Sequence, residues 1–243
     1  MGLDVYVGSF TRYYAHDWET IVQRAGREQG IPVEIVRQTP LPSDALTDPD
    51  AIREGILAWR SGLSESLRRE GVIRDSLDWS EQPDAPYFTD KPDWDCFGAL
   101  LLLAAYEETE KALVGSGWPR DLPEDWPADT VLQRQFEARA ASRYSHLYGC
   151  EIWLPHELPG PFSGPSPPGK PQRFGSSVGL LAQLEELNRR TYRGALQDQK
   201  DWRNSMPEGS NPRFEPRAKT GLAIMLELTR AAVDNRLPML LDY

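Results

Sequence analysis

The segment between the first predicted strand and the first predicted helix holds side chains suited to bind a small anion. It reads Thr-Arg-Tyr-Tyr-Ala-His-Asp-Trp over residues 11–18. Ligands of α/β proteins often lie at this position, beside a helix N-terminus that favours negative charge. Arg12, Tyr13 and His16 are therefore candidates for binding an anionic small molecule. The alternative is that the aromatic rings pack on the sheet and Asp17 only caps the helix.

A second group of polar side chains precedes the most apolar helix. Residues 87–96 read Tyr-Phe-Thr-Asp-Lys-Pro-Asp-Trp-Asp-Cys. A carboxylate at a helix start can be a cap, a general base or a ligand for a hard cation. Asp90, Asp93 and Asp95 lack the Gly turn and terminal Glu of an EF-hand. We include Asp90 and Asp95 among the candidate ligand-binding residues, with capping and aromatic packing as the alternative.

The histidines and cysteines give little support for a metal site. His146, Cys150 and His156 carry suitable ligand atoms, but their spacing matches no zinc motif. The chain also lacks a phosphate loop ending in Lys-Ser or Lys-Thr, an H-E-x-x-H motif and paired C-x-x-C motifs. We predict no metal and no cofactor. Cys96 and Cys150 each lie in an apolar stretch and are predicted to be buried free thiols.

Charge is distributed unevenly along the chain. Its 37 acidic and 27 basic residues give a net charge of −10, which disfavours a nucleic-acid partner. Residues 75–95 carry seven acidic residues and one lysine, a net of −6, whereas residues 189–219 carry eight basic and four acidic residues, a net of +4. These regions are expected to attract each other, or the acidic one to face a basic protein. The candidate interaction residues combine charge for steering with aromatic anchors: Asp75, Asp78, Trp79, Glu81, Asp84 and Tyr87.

Hydrophobic periodicity predicts the elements that position these side chains. Residues 3–7 alternate and predict a strand, and Val33 to Val36 predict a second one. Between them, a helix capped by Asp17 is predicted from Trp18 to Gly30, with Ile21 and Val22 on its apolar face. Further helices are predicted over residues 49–71, 94–114, 128–144, 176–192, 197–203 and 217–235, and a further strand over residues 148–154.

Three other stretches complete the predicted organisation. Residues 99–105 are apolar all round, so the helix containing them is predicted to be the buried centre of the fold. Residues 155–171 hold seven prolines and three glycines and are predicted to be a loop. Residues 237–243 are too apolar for a loose tail and are predicted to pack, with an edge strand as one option.

The sum of these elements predicts a helix-rich α+β protein with a small sheet and one central buried helix. We expect a single globular domain over residues 1–243, with the 155–171 loop within it, because no repeat or polar linker divides the chain. No apolar run approaches the roughly 20 residues of a membrane span, and the N-terminus resembles no secretion signal. We therefore expect a cytoplasmic protein without a membrane partner.

Two functions are compatible with these residues, and whether the protein is an enzyme stays open. The favoured hypothesis is a non-enzymatic interaction module, of the inhibitor or immunity type, that binds a basic protein through residues 75–95. The alternative is a small-molecule enzyme or sensor with an anion-binding pocket after the first strand. That pocket would require its candidate residues to converge: Arg12, Tyr13, His16, Asp90 and Asp95.

Overall fold

In the part of the chain that the structure describes, the protein is built on a mixed β-sheet of six strands. The computed structural model describes residues 3–31, 48–109, 118–205, 207 and 213–243. Its strands are β1 (Asp4–Val7), β2 (Phe88–Asp90), β3 (Ile152–Leu154), β4 (Phe162–Pro165), β5 (Pro171–Ser176) and β6 (Met239–Asp242). Their spatial order is β2-β1-β6-β3-β5-β4. β3 and β5 are parallel, and the other neighbours are antiparallel.

Helices cover both faces of this sheet. Within the described residues they are α1 (Phe10–Tyr14), α2 (Ile21–Glu28), α3 (Pro49–Arg69), α4 (Asp93–Glu108), α5 (Thr130–Glu137), α6 (Ser177–Arg190), α7 (Leu196–Asn204) and α8 (Phe214–Asn235), with a short 3-10 helix at Trp126–Ala128. The predicted α+β class is therefore confirmed.

The alternation of side chains in β1 separates two hydrophobic cores. Val5 and Val7 point to one face, where α4, α6 and α8 pack, and Tyr6 points to the other, where α1 and α3 pack. The molecule thus has three layers, with helices above and below the sheet.

Helix α4 is the buried centre of the first core, as its apolar run predicts. Every residue from Cys96 to Ala105 is buried. Gly221 of α8 allows the two helices to meet closely, because a Cβ built at that position would lie 2.2 Å from the carbonyl oxygen of Cys96. A helix with another helix against its backbone needs apolar side chains on nearly all sides.

The predicted helix from Trp18 to Gly30 is wrong in its start and in its buried face. Thr20, rather than Asp17, is the N-cap of α2, and its hydroxyl accepts a hydrogen bond from the Gln23 N–H at 3.2 Å. The side chain of Val22 is exposed. Residues Phe10–Tyr14, which precede the predicted start, form the separate helix α1. The strand predicted at Val33 to Val36 lies outside the described residues.

The predicted loop at 155–171 contains regular structure. Residues Phe162–Pro165 form β4, which pairs antiparallel with β5. The sequence signal fails here because proline is excluded only from interior strands, and β4 is an edge strand whose outer side needs no N–H donor.

Two other boundaries and the position of one strand in the sheet also differ from the predictions. The strand predicted over residues 148–154 is limited to β3, and the helix predicted over residues 128–144 ends at Glu137. Residues Met239–Asp242 form an interior strand between β1 and β3 rather than an edge strand.

Candidate functional site

Helix α1 is held against the acidic segment by a buried carboxylate. Glu81 accepts hydrogen bonds from the backbone N–H groups of Phe10 at 3.2 Å and Thr11 at 2.8 Å. The indole N–H of Trp79 donates to the same carboxylate at 2.5 Å. A helix leaves its first N–H groups without intrahelical partners, and a carboxylate at this end satisfies them. Trp79 and Glu81 are therefore buried within the protein, and neither belongs to an exposed interaction face.

Arg12 makes a second connection between α1 and the same segment. Its guanidinium donates hydrogen bonds to the backbone carbonyls of Pro83 and Ala85 and lies 5.0 Å from the ring centroid of Tyr87. The carboxylate of Asp17 lies 3.6 Å from its Nε. The guanidinium predicted to bind an anion is thus engaged in holding residues 83–87 against α1.

These two connections present a group of aromatic rings beside exposed carboxylates. The ring of Trp18 is stacked on that of Tyr13, with centroids 5.8 Å apart, and both contact the buried ring of Tyr6. Tyr87 contacts Tyr6 at 6.3 Å. We define the α1 surface by its half-buried aromatic residues and its exposed carboxylates: Tyr13, Tyr14, Trp18, Tyr87, Asp17 and Asp84.

The turn after α1 has an unusual backbone conformation. His16 is exposed and has a φ of 55°, and its N–H donates to the carbonyl of Tyr13 at 3.2 Å. Few non-glycine residues adopt positive φ, and such residues cluster at functional sites.

Three of the predicted ligand-binding residues, Arg12, Tyr13 and His16, thus lie together on one side of the sheet.

The other two predicted ligand-binding residues lie elsewhere. Asp90 is buried on β2, opposite Val5 of β1, and forms an ion pair with Arg203 at 2.7 Å. Asp95 pairs with the buried Arg217 at 3.2 Å. Both carboxylates engage helices on the α4–α8 face, whereas Arg12 lies on the opposite face. The five predicted residues therefore do not line one pocket.

These ion pairs confirm the predicted attraction between the acidic and basic regions. Asp90, Asp93 and Asp95 are neutralised internally by arginines of residues 189–219. Of the remaining carboxylates in the segment, Asp75, Asp78 and Asp84 are exposed. Asp78 lies within 4 Å of both Arg60 and Arg236. The negative charge available to a partner is consequently smaller than the sequence suggests, and it lies before residue 85.

A cleft of about 560 Å³ separates α7 from α8 beside β2. Its lining includes Phe88, Leu196, Lys200, Arg203, Glu227 and Arg230. Both arginines in it are engaged within the protein: Arg203 is 3.1 Å from Glu227, and Arg230 donates to Gln199 at 2.8 Å. These groups stabilise the packing of α7 on α8, and they do not form a set aimed at a ligand.

One sequence motif typical of nucleophilic serines lies at the turn from β5 to α6. Residues 175–179, Gly-Ser-Ser-Val-Gly, match the G-x-S-x-G pattern of a serine nucleophile at a strand-to-helix turn, and β5 does lead into α6 here. However, Ser177 is fully buried, and its hydroxyl donates to the carbonyl of Leu154 at 3.2 Å. Its φ is not positive, unlike that of a strained elbow. The serine therefore stabilises the turn and is not placed to attack a substrate.

The thiols and the central histidine are likewise structural groups. Burial raises the pKa of Cys96 and of Cys150 to about 12, so both are protonated and unreactive at neutral pH. The Nδ1 of His146 accepts a hydrogen bond from the Ser176 N–H at 3.1 Å. Throughout the ranges that the structure describes, no three His, Cys, Asp or Glu side chains are placed to hold a metal ion.

Comparison with known proteins does not extend this description. No protein-family model matches the chain, and no curated protein or solved structure matches it. In the part of the chain described, no helix is both long and apolar enough to cross a membrane. The fold and the surface thus define an α+β protein with an aromatic and acidic surface at α1.

Proposed function

We propose that this protein binds a basic protein partner through the α1 surface, as a non-enzymatic inhibitor does. One observation carries the proposal: half-buried aromatic rings lie next to exposed carboxylates around a short helix whose position is set by Glu81 and Arg12. Tyrosine and tryptophan are enriched at protein interfaces because they bury large areas at a low cost in side-chain entropy.

The rigidity of the surface favours tight binding. The rings of Tyr13, Trp18 and Tyr87 all contact Tyr6, which is fully buried. The phenol of Tyr13 also donates to Asp242 of β6 at 2.6 Å, which connects the surface to the sheet. Since these side chains are ordered before binding, little conformational entropy remains to be lost when a partner docks.

The charges at the rim favour a basic partner. The side chain of Asp17 is 76% exposed, and Asp84 lies between the two residues whose carbonyls bind Arg12. Two guanidinium groups lie near Tyr87, and both already have partners within the protein. Arg12 interacts with Asp17 and two carbonyls, and Arg24, 5.9 Å from the ring centroid of Tyr87, donates to the hydroxyl of Thr89 at 3.4 Å. With a net charge of −10 on the whole chain, the surface attracts cationic proteins and accelerates their association.

The proposal is tested by capture at low salt with variants of the surface. The immobilised protein should retain a basic protein stoichiometrically at about 50 mM salt, where surface charges are weakly screened. The affinity should fall at least about tenfold for Asp17→Lys/Asp84→Lys and for Tyr87→Ala, the equivalent of about 1.4 kcal/mol. Urea unfolding of each variant checks that the fold is intact.

A matched double variant makes the test specific. Asp201→Lys/Asp234→Lys reverses two exposed carboxylates on α7 and α8, so it changes the net charge by the same amount on the opposite face of the sheet. It should retain most of the affinity. Equal losses of affinity in the two double variants would mean that net charge alone determines binding, and this result would contradict a site at the α1 surface. Recovery of no stoichiometric partner would also overturn the proposal.

A further inference from the structure

We propose that His146 is an acid-sensitive latch, which holds the β5–α6 junction and residues 154–158 in place while its imidazole ring is neutral. This role is independent of partner binding at the α1 surface. It rests on the contacts that the residue makes with three elements of the fold.

His146 joins these elements through backbone and side chain. Its N–H donates to the side-chain oxygen of Gln183 on α6 at 2.9 Å, and its carbonyl accepts from the indole N–H of Trp153 on β3 at 2.6 Å. The ring packs against Gly179, where a Cβ would lie 2.5 Å from it. Ring Nδ1 accepts the N–H of Ser176, the last residue of β5 and the N-cap of α6.

The same junction fixes the chain that follows β3. The hydroxyl of Ser176 donates to the carbonyl of His156 at 2.6 Å, and that of Ser177 donates to the carbonyl of Leu154. The imidazole of His146 is also hydrogen bonded to the backbone of Leu158. Because Nδ1 is an acceptor, the proton of the neutral ring is on Nε2. One neutral histidine thereby helps to hold both sides of the junction.

Protonation is incompatible with this arrangement for three reasons. A second ring proton on Nδ1 would face the N–H of Ser176, so a hydrogen bond would become a repulsive contact. The ring lies at the N-terminus of α6, where the helix dipole disfavours positive charge. Arg173 of β5 adds its own positive charge, and Gln183 and Trp153 contribute neutral groups. The backbone hydrogen bond with Leu158 favours the protonated ring and opposes these effects.

The direction of the pH effect follows from linkage. Burial, with Arg173 acting in the same direction, lowers the pKa of His146 below its ordinary value of 6.5, against the opposing effect of the hydrogen bond with the Leu158 backbone. Above that value the ring is neutral in both the folded and the unfolded chain, so the latch contributes fully. As the pH falls below 6.5, the unfolded or opened chain takes up the proton first, and the junction is progressively destabilised.

The test compares two histidine variants by amide hydrogen exchange. In His146→Asn, the side-chain oxygen can replace Nδ1 as acceptor but cannot be protonated. His156→Asn is the matched control, since that side chain makes no hydrogen bond within the described residues. Exchange of the Ser176 and Gly179 amides, corrected for the intrinsic rate, is measured between pH 5 and 7.5, together with the titration of both histidine rings by NMR.

In the wild-type protein and in His156→Asn, opening at Ser176 should increase as the pH falls, by up to about tenfold for each unit by which the pKa of His146 is lowered. In His146→Asn it should not change with pH. The same acid dependence in all three proteins would overturn the proposal. Should His146→Asn not fold, the wild type alone decides: an opening curve that is flat, or that follows the titration of His156, contradicts the latch.

Discussion

Asp90 of β2 and Arg203 of α7 lie 113 positions apart in the chain and form an ion pair at 2.7 Å. They belong to the acidic and basic regions of the sequence, respectively. The carboxylate of Asp90 is buried, and Arg203 also contacts Glu227 at 3.1 Å. This pair connects the edge of the sheet to the helical layer, and it removes Asp90 from the surface charge.

Replacement of Arg203 by methionine should lower the free energy of unfolding by about 2 kcal/mol, because Asp90 would stay buried without its cation. This loss is smaller than that expected for a fully buried ion pair, because the side chain of Arg203 is 32% exposed. Urea denaturation gives the measurement. Asp90→Asn/Arg203→Met should recover most of the loss, and Arg236→Met, which removes an exposed partner 3.9 Å from Asp78, should change it by less than about 0.5 kcal/mol. A double variant as unstable as the single one would contradict this account.

Replacement of Glu81 by alanine should cost about 3 kcal/mol of unfolding free energy. Three N–H groups, from Phe10, Thr11 and Trp79, would lose their acceptor in a buried site. The tryptophan fluorescence should change as well, because Trp79 contacts Glu81 directly. Asp84→Ala, in the exposed part of the same segment, is the control and should be nearly neutral. Comparable losses in the two variants would argue against the capping role of Glu81.

Alanine substitutions at two helical glycines should change the stability of the protein in opposite directions. Gly221→Ala would place a Cβ 2.2 Å from the Cys96 carbonyl oxygen and force α8 away from α4, at a cost of more than about 2 kcal/mol. Gly55→Ala, on α3 with no atom within 4 Å of the added Cβ, should stabilise the protein by about 0.5–1 kcal/mol. Thermal denaturation of both variants measures the difference, and a tolerated Gly221→Ala would show that the helices can separate without loss.

Asp4→Asn should stabilise the protein at neutral pH. Asp4 lies opposite Asp242 across β1 and β6, and burial, together with Asp242 and Asp90, raises its pKa against the opposing effect of Lys91. A raised carboxyl pKa gives stability that is complete below the unfolded value near 3.8 and lost as the pH rises through the folded value. The variant should therefore gain about 0.5 kcal/mol at pH 7 and nothing at pH 3. Denaturant midpoints at both pH values test this, with exposed Asp17→Asn as the control; a gain that persists at pH 3 would contradict the electrostatic cause.

The sequence predicts best where a single local rule decides the structure. The Asp48 cap followed by Pro49 fixes the start of α3, and the all-round apolar run identifies α4 as the buried centre. It predicts poorly where a distant partner decides. Helix α1 has five residues; Ser9 caps it locally, but the N–H groups of Phe10 and Thr11 are accepted by Glu81, some 70 positions away. No local pattern contains that information.

In the candidate site, too, the sequence predicts what local residue type determines and fails where a distant partner decides. Residue type and position selected Arg12 and Tyr13 as ligand-binding candidates and Tyr87 as a candidate of a separate interaction face, and the structure places the three side by side. The pattern could not show that Trp79 and Glu81 point inward, since acidic residues are seldom buried without such a set of donors. Nor could it distinguish carboxylates paired across the fold, such as Asp95 with Arg217, from those facing solvent.

The position of β6 in the sheet sets the order in which the molecule can assemble. This strand, residues Met239–Asp242, separates β1 from β3, and Asp4 pairs with Asp242 across 238 positions of the chain. During synthesis the other five described strands leave the ribosome before it. Until then the sheet can exist only as two fragments, β2-β1 and β3-β5-β4, each with an open edge that invites pairing with other chains. The nascent protein is thus most exposed to aggregation just before β6 inserts and joins the two fragments.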